Sequence, residues 1–461
     1  MTVTLRRLIQ ILREPVLDET RRNLARSWAR LPERFRSRQQ MLGRGGNGCG
    51  ATIGAMPRCD FACVGCYLND GANQIPAQPV HEIKAQIDVL RPTLGDAGNL
   101  QLTDGEVTLR PADEVIELLR YATSQRLIPM LMTHGDTFRR RPGLLDRLMT
   151  EGGLVELSLH VDTTQRGRLG GDYKHATTEA ALNPLRAEFA DLVRGAKART
   201  GRELRVATTM TVTADNVSGV PDVLEWLLQS NDAVRLISFQ PIAQVGRTVD
   251  GLGGGCSVEA LWEQIALGVF GPSATREEIE AMQLWVGHPD CNRYLPGVVV
   301  SEAGKRPRFF PMRREGDETD MAIVDGFLAR FGGISFRMDT PVESTVRKLA
   351  VLLHQPGWVL RTLPRAIMHW LRKFDAEHPW RFALQVLRGQ VKVGGLVLIS
   401  HHFMSEGMGQ TPEGRERLDL CVFHVPIDGT LVPMCEVNTT SIRRDYYERI
   451  KHKKQLAVLQ S

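Results

Sequence analysis

The sequence predicts an α/β protein built on a parallel sheet, and three observations predict it. Six short apolar runs between residues 51 and 242 alternate with helical stretches, and parallel neighbours need long crossovers of that kind, which a helix supplies. A composition of 42% hydrophobic and 24% charged residues over 461 positions supports a large core and excludes a disordered, collagenous or coiled-coil chain. No repeat of solenoid length breaks the alternation.

The elements follow in order. Residues 1–48 form a basic, helical N-terminal extension, with ten Arg against four acids between Met1 and Arg38. The opening segment MTVTLRRLIQILR has too short an apolar run for secretion or membrane spanning, so a cytoplasmic location is expected. The strands are expected at 51–56, 99–103, 128–133, 154–161, 204–212 and 234–242, and the helices between them at 80–90, 111–124 and 221–229. Glycine-rich GLGGGC (251–256) marks a loop before a helix at 257–269. Such units form an open doubly wound sheet or an incomplete barrel. Both place their chemistry at the carboxyl ends of the strands. The alternation gives a core at 49–273 and fails beyond it, so 274–461 is a second, α+β region.

Eight cysteines sit in a chain that reads as cytoplasmic, and three fall within eight residues: Cys59, Cys63 and Cys66, in CxxxCxxC spacing directly after the first strand. Clustered thiols in a reducing compartment point to metal before disulfide, and soft sulfur suits zinc or an iron–sulfur cluster. A structural zinc site needs a fourth ligand nearby, and the nearest residues are Cys49 and His81. Three thiolates on a four-iron cube instead leave one iron open.

This arrangement resembles the radical S-adenosylmethionine (SAM) superfamily over roughly residues 49–242. The resemblance implies a partial (β/α)6 TIM-like barrel, a [4Fe-4S] cluster on Cys59, Cys63 and Cys66, and SAM on the open iron. Tyr67, after the third cysteine, is common in that family, whereas Gly65 stands where an aromatic residue is usual. By the same resemblance Asp104, Gly105 and Glu106 of LTDGEVTL occupy the turn that binds the SAM amino group. Ser158 and His160 on the fourth strand, Thr211 on the fifth and Gln240 on the sixth would meet the rest of SAM. His160 is also a candidate acid or base for the substrate, or a hydrogen-bonded interior histidine. Arg247 would bind an anionic group or be solvated. The implied chemistry is reductive cleavage of SAM to a 5′-deoxyadenosyl radical that takes hydrogen from an unactivated carbon, with electrons from a flavodoxin- or ferredoxin-type donor.

Among the remaining cysteines, Cys421 and Cys435 bracket CVFHVPIDGTLVPMC, which reads as a hairpin turning at Asp428 and Gly429. With the HPxC segment at Cys291 and HHFM at 401–404, this pattern resembles the subfamily of tetraether synthase and the pterin-methylating radical SAM enzymes. That resemblance implies an auxiliary iron–sulfur cluster on Cys291, Cys421 and Cys435, with Cys256 or Cys49 as fourth ligand or an open iron. It also implies carbon–carbon bond formation or methylation on a lipid or a pterin. A peptide maturase with a C-terminal cluster is the alternative within the class. From another class, a zinc protein using its basic N-terminus on nucleic acid is the rival, although no nucleic-acid partner is expected. Finally, Arg347 to Lys373 holds six Lys or Arg and no acid. Val359 to Phe374 has helical spacing, limited in length by Pro356 and Pro364, and suits either packing on the barrel or peripheral contact with the inner membrane face.

Overall fold

The structure is a computed structural model that describes residues 4–46, 48, 50–68, 70–248 and 255–459. Cys49 and most of the GLGGGC loop lie outside these residues. Two helices, Leu5–Arg13 and Asp18–Arg30, precede the first strand. Six parallel strands then follow in chain order: β1 (Gly50–Met56), β2 (Asn99–Asp104), β3 (Ile128–Thr133), β4 (Glu156–His160), β5 (Arg205–Val212) and β6 (Val234–Pro241). Each lies where a short apolar, β-branched run stands in the sequence, and the crossovers contain helices such as Val80–Leu94, Ala112–Ser124 and Val220–Gln229. The helix Asn183–Thr200 ends on Gly201 in the left-handed conformation, φ 63°, a position that favours glycine.

The region beyond residue 273 extends the same sheet. It contributes β7 (Asn292–Glu302), β8 (Arg308–Pro311), β9 (Val391–His401), β10 (Phe423–Ile427) and β11 (Thr430–Pro433). β9 pairs parallel to β6, and β10 pairs parallel to β1, so strands from the last part of the chain add to both edges of the six. The order across the sheet is β11-β10-β1-β2-β3-β4-β5-β6-β9-β7-β8.

The sheet curls around a cavity of about 530 Å3. Alternate residues of successive strands line it: Asn99, Gln101 and Thr103 on β2, Met130 and Met132 on β3, Glu156 and Ser158 on β4. Period-two lining from neighbouring strands means that one face of the sheet looks inward. Ala207, Thr209 and Thr211 on β5, Ser238 and Gln240 on β6, and Ile399 and His401 on β9 continue it. The other face packs against the helices in one large apolar core.

Helix Pro356–Phe374 runs unbroken through Pro364, where the sequence suggested a limit. Proline at 364 removes the bond to the Leu360 carbonyl. Leu360 is 68% exposed, so water can take that acceptor and the interruption costs less than it would in a core.

Candidate active site

The loop after β1 carries Cys59, Cys63 and Cys66, all partly buried. Neighbouring strand ends hold its backbone: Ala62 N donates to Arg166 O (2.9 Å), Val64 N to Thr164 O (3.0 Å), and Arg247 N to Cys66 O (3.0 Å). Two sulfurs receive donors as well, Cys59 from Phe61 N at 3.4 Å and Cys66 from the Arg247 guanidinium at 3.6 Å. Arg247 therefore clamps the thiol loop. Burial pushes the Cys59 thiol up to about 12, so metal uptake would displace a proton from it.

The turn after β2 is the second support of this loop. Gly105 N donates to Met56 O (2.7 Å) and Glu106 N to Arg58 O (2.8 Å). A Cβ on residue 105 would lie 2.2 Å from Arg58 O, so only glycine permits the approach. Glu106 is wholly buried and accepts from Thr108 Oγ1, Thr133 Oγ1 and His134 N. Asp104, at φ 90°, accepts from Arg443 (3.1 Å) and Tyr447 Oη (2.8 Å) of the C-terminal helix Ile442–Leu459. The Arg443 guanidinium also lies over the Tyr67 ring, 4.8 Å from its centre, and Tyr67 Oη donates to Asp104 O. Burial opposes the Arg443 charge, but Asp104, Tyr447 and Tyr67 together outweigh this and raise its pKa. Both carboxylates expected to meet the SAM amino group are thus engaged by protein donors.

Gly65 has a local reason. A Cβ there would lie 2.6 Å from Ile242 Cδ1 and 3.5 Å from a Thr211 methyl, so the residue after β6 occupies the space that a larger side chain would need. Gly65, Tyr67, Ser158, Thr211 and Gln240 all border the cavity. Ser158 Oγ is 3.2 Å from Thr209 Oγ1. His160 Nε2 contacts Asp162 at 2.6 Å and Thr211 Oγ1 at 3.1 Å, and its side chain is partly exposed. Burial disfavours the Asp162 carboxylate. His160 and donors from Thr164 and Thr211 outweigh it and hold the carboxyl below the usual range.

A single-ion alternative also exists, since ligand atoms of Cys59, Asp60 and His134 lie within 4.8 Å of one another. His134 Nε2 is 2.8 Å from Asp60, its Nδ1 accepts from Asp136 N, and Arg140 donates to the other Asp60 oxygen. A lone ion would compete with these bonds and leave Cys63 and Cys66 unused.

Cys291, Cys421 and Cys435 border the same cavity as Gly65 and Tyr67. Cys291 lies just before β7 and Cys421 just before β10, while Cys435 opens the helix Met434–Thr439 after β11. The expected hairpin is present, with Ile427 opposite Thr430 and positive φ at Asp428 (47°) and Gly429 (80°). Two consecutive positive φ values are the signature of a type I′ turn. Arg417 donates to Cys291 Sγ at 3.4 Å and Met404 N to Cys435 Sγ at 3.5 Å. Cys256 packs against the main core just before helix Val258–Phe270, and it is not among the residues lining the cavity.

The sequence reading did not single out Arg443, Tyr447 or Arg417. The pair RRDYY at 443–447 lies over 300 residues from the turn it grips, and no local spacing signals the contact. His401 was seen only as part of HHFM. It faces the cavity with Nδ1 2.9 Å from Ser238 Oγ, and burial pulls its ring down to about 4, so it stays neutral near pH 7.

Fold and loop together define a mainly parallel, barrel-like α/β sheet with a three-thiol loop at the carboxyl end of its first strand. No family model matches the chain, and no curated protein matches it in sequence. Among solved structures, it is similar to SuiB of Streptococcus suis bound to S-adenosylmethionine (13% identity, TM-score 0.34, covering 47% of this chain and 46% of that one). SuiB bound to precursor peptide SuiA gives 12% identity and a TM-score of 0.31, covering 43% and 40%. The FeFe-hydrogenase maturase HydG from Carboxydothermus hydrogenoformans gives 10% and 0.33, covering 76% and 90%. The chain spans less than half the length of SuiB. At these similarities the functional reading rests on the chain's own residues.

Proposed function

We propose that the chain is a radical SAM enzyme with an auxiliary iron–sulfur cluster, acting on an apolar substrate. The observation that carries this reading is the shared cavity: the thiol loop reaches it through Gly65 and Tyr67, and Cys291, Cys421 and Cys435 border it too. The donor set fits the implied cofactor, because one loop carries three soft sulfurs and two of them, Cys59 and Cys66, receive peptide and guanidinium donors of the kind that tune cluster sulfur. When bound, a [4Fe-4S] cluster and SAM supply one-electron cleavage to a 5′-deoxyadenosyl radical.

The protein's part is binding, orientation and exclusion of water. Tyr67, Ser158, Thr211 and Gln240 would hold SAM at the cavity wall. Asp104 and Glu106, already bonded to protein donors, act by fixing the shape of their turn. Met130, Met132, Leu236, Ile399, Phe403 and Phe423 line an apolar part of the remaining space, which Asn99, Gln101, Glu156 and Arg235 also border, and that apolar part suits a hydrocarbon chain. Carbon–carbon bond formation or methylation on a lipid is the reaction this lining favours. Cys291, Cys421 and Cys435 would hold the auxiliary cluster with one position open.

Anaerobically reconstituted protein, given SAM and a reductant, is expected to release 5′-deoxyadenosine. Cluster-loaded protein that yields none would overturn the proposal. Mass spectrometry of extracts from a deletion strain should show a changed lipid, and a change confined to peptides would favour maturation instead.

A further inference from the structure

We infer that the helical layer formed by Leu5–Arg13, Pro341–His354, Pro356–Phe374 and Pro379–Leu387 docks on an anionic lipid bilayer. The inference stands on surface chemistry alone and holds whether or not the proposed reaction is correct. These helices pack as consecutive neighbours, the first on the second, the second on the third and the third on the fourth. Their inner sides are anchored: Arg347 donates to Pro15 O and pairs with Asp339, and Phe374 and Phe382 join a small core with Val300 and Val391.

Their outer sides are apolar where a water-facing helix is ordinarily polar. Leu360, Leu363 and Ile367 are 68%, 54% and 48% exposed at i, i+3, i+7 spacing on one helix. On its neighbours Leu349 and Leu353 are exposed on one side, and Trp380, Leu384 and Leu387 on the other. Leu5 and Ile9 add a one-turn pair on the first helix.

Cations flank this apolar surface. Lys348, Arg361, Arg365, Arg372, Arg381 and Arg388 are all exposed, and none has an ion-pair partner among the described residues. Acids are few there: Glu343 is buried beside Arg7, and Glu377 is exposed at the turn before Pro379. Exposed leucine, isoleucine and tryptophan with unpaired arginines match an interface that is apolar a few ångströms deep and negative at its surface. A twofold dimer through the same face would set the six cations of one copy against those of the other, which disfavours that occupant. No helix among the described residues is long and apolar enough to cross a membrane, so the contact is one of lying on the surface.

The test is co-sedimentation of the full chain with vesicles of phosphatidylcholine alone or mixed with phosphatidylglycerol, with the oligomeric state followed in parallel by sedimentation velocity. The expected result is binding to the anionic vesicles that weakens at least about tenfold in high salt. It should weaken similarly in the double variant Leu360→Glu, Ile367→Glu, which leaves the inner packing untouched. The control Leu267→Glu, at an exposed leucine on another helix (42% exposed), should bind like the parent. Parent protein that stays in the supernatant with anionic vesicles overturns the inference. So does a folded double variant that pellets as well as the parent, or a dimer in solution that the double variant dissolves without any vesicle binding.

Discussion

Arg443 is a buried cation. It sits between the Asp104 carboxylate and the rings of Tyr67 and Tyr447, and it is 6% exposed. Methionine can fill the guanidinium's volume but leaves Asp104 buried with only the Tyr447 hydroxyl donating to its side chain. Removing one member of a buried pair costs about 3 kcal/mol or more. Arg443→Met should therefore lower the denaturation midpoint by an amount equivalent to about 3 kcal/mol, while Arg443→Lys should recover part of the loss. An unchanged midpoint in Arg443→Met would show that Asp104 does not need the cation. The neighbouring turn shows how little of this site is local: DGE places a glycine at a strand end, and what approaches it here is the Arg58 carbonyl, whereas the partner of Asp104 comes from a helix remote in sequence.

Elements differ in how far their residues announce them. The β10–β11 hairpin is legible because Asp-Gly between alternating apolar runs selects a two-residue turn, and the structure has that turn. It matters because the hairpin sets the spacing between Cys421 at one end and Cys435 at the other. Gly429 has φ 80° and nothing within 4 Å of where a Cβ would stand, so substitution meets backbone strain without a clash. Gly429→Ala should cost about 1 kcal/mol of stability, read as a lowered melting temperature, with iron content unchanged. Loss of iron from this variant would mean that the turn is coupled to the thiols more rigidly than its open surroundings indicate. Helix Pro356–Phe374 was less legible because an internal proline removes one backbone bond and crowds the turn before it, while the packing of Trp370, Leu371 and Phe374 that favours the helix is tertiary. At Pro364 the freed carbonyl belongs to an exposed residue.

Across the whole molecule, six strands were readable because each is a contiguous apolar run and their pairing follows chain order. The two additions were not. Leu236 pairs with Val397 and Gly50 with Phe423, and nothing in the local pattern of either segment encodes a partner so distant. Those additions bring Cys291, Cys421 and Cys435 to the cavity that the first thiol loop borders through Gly65 and Tyr67, and this yields a prediction for the intact chain. Each set of three thiolates would hold about four irons, so the reconstituted protein should carry about eight. Replacing Cys291, Cys421 and Cys435 with Ala should leave about four irons and preserve SAM-dependent release of 5′-deoxyadenosine. Replacing Cys59, Cys63 and Cys66 should also leave about four irons but abolish that release. Both counts come from metal analysis alongside product assay. Stoichiometric zinc without iron in anaerobically purified parent protein would defeat both cluster assignments, whereas an iron content unmoved by the C-terminal triple replacement would defeat the second alone.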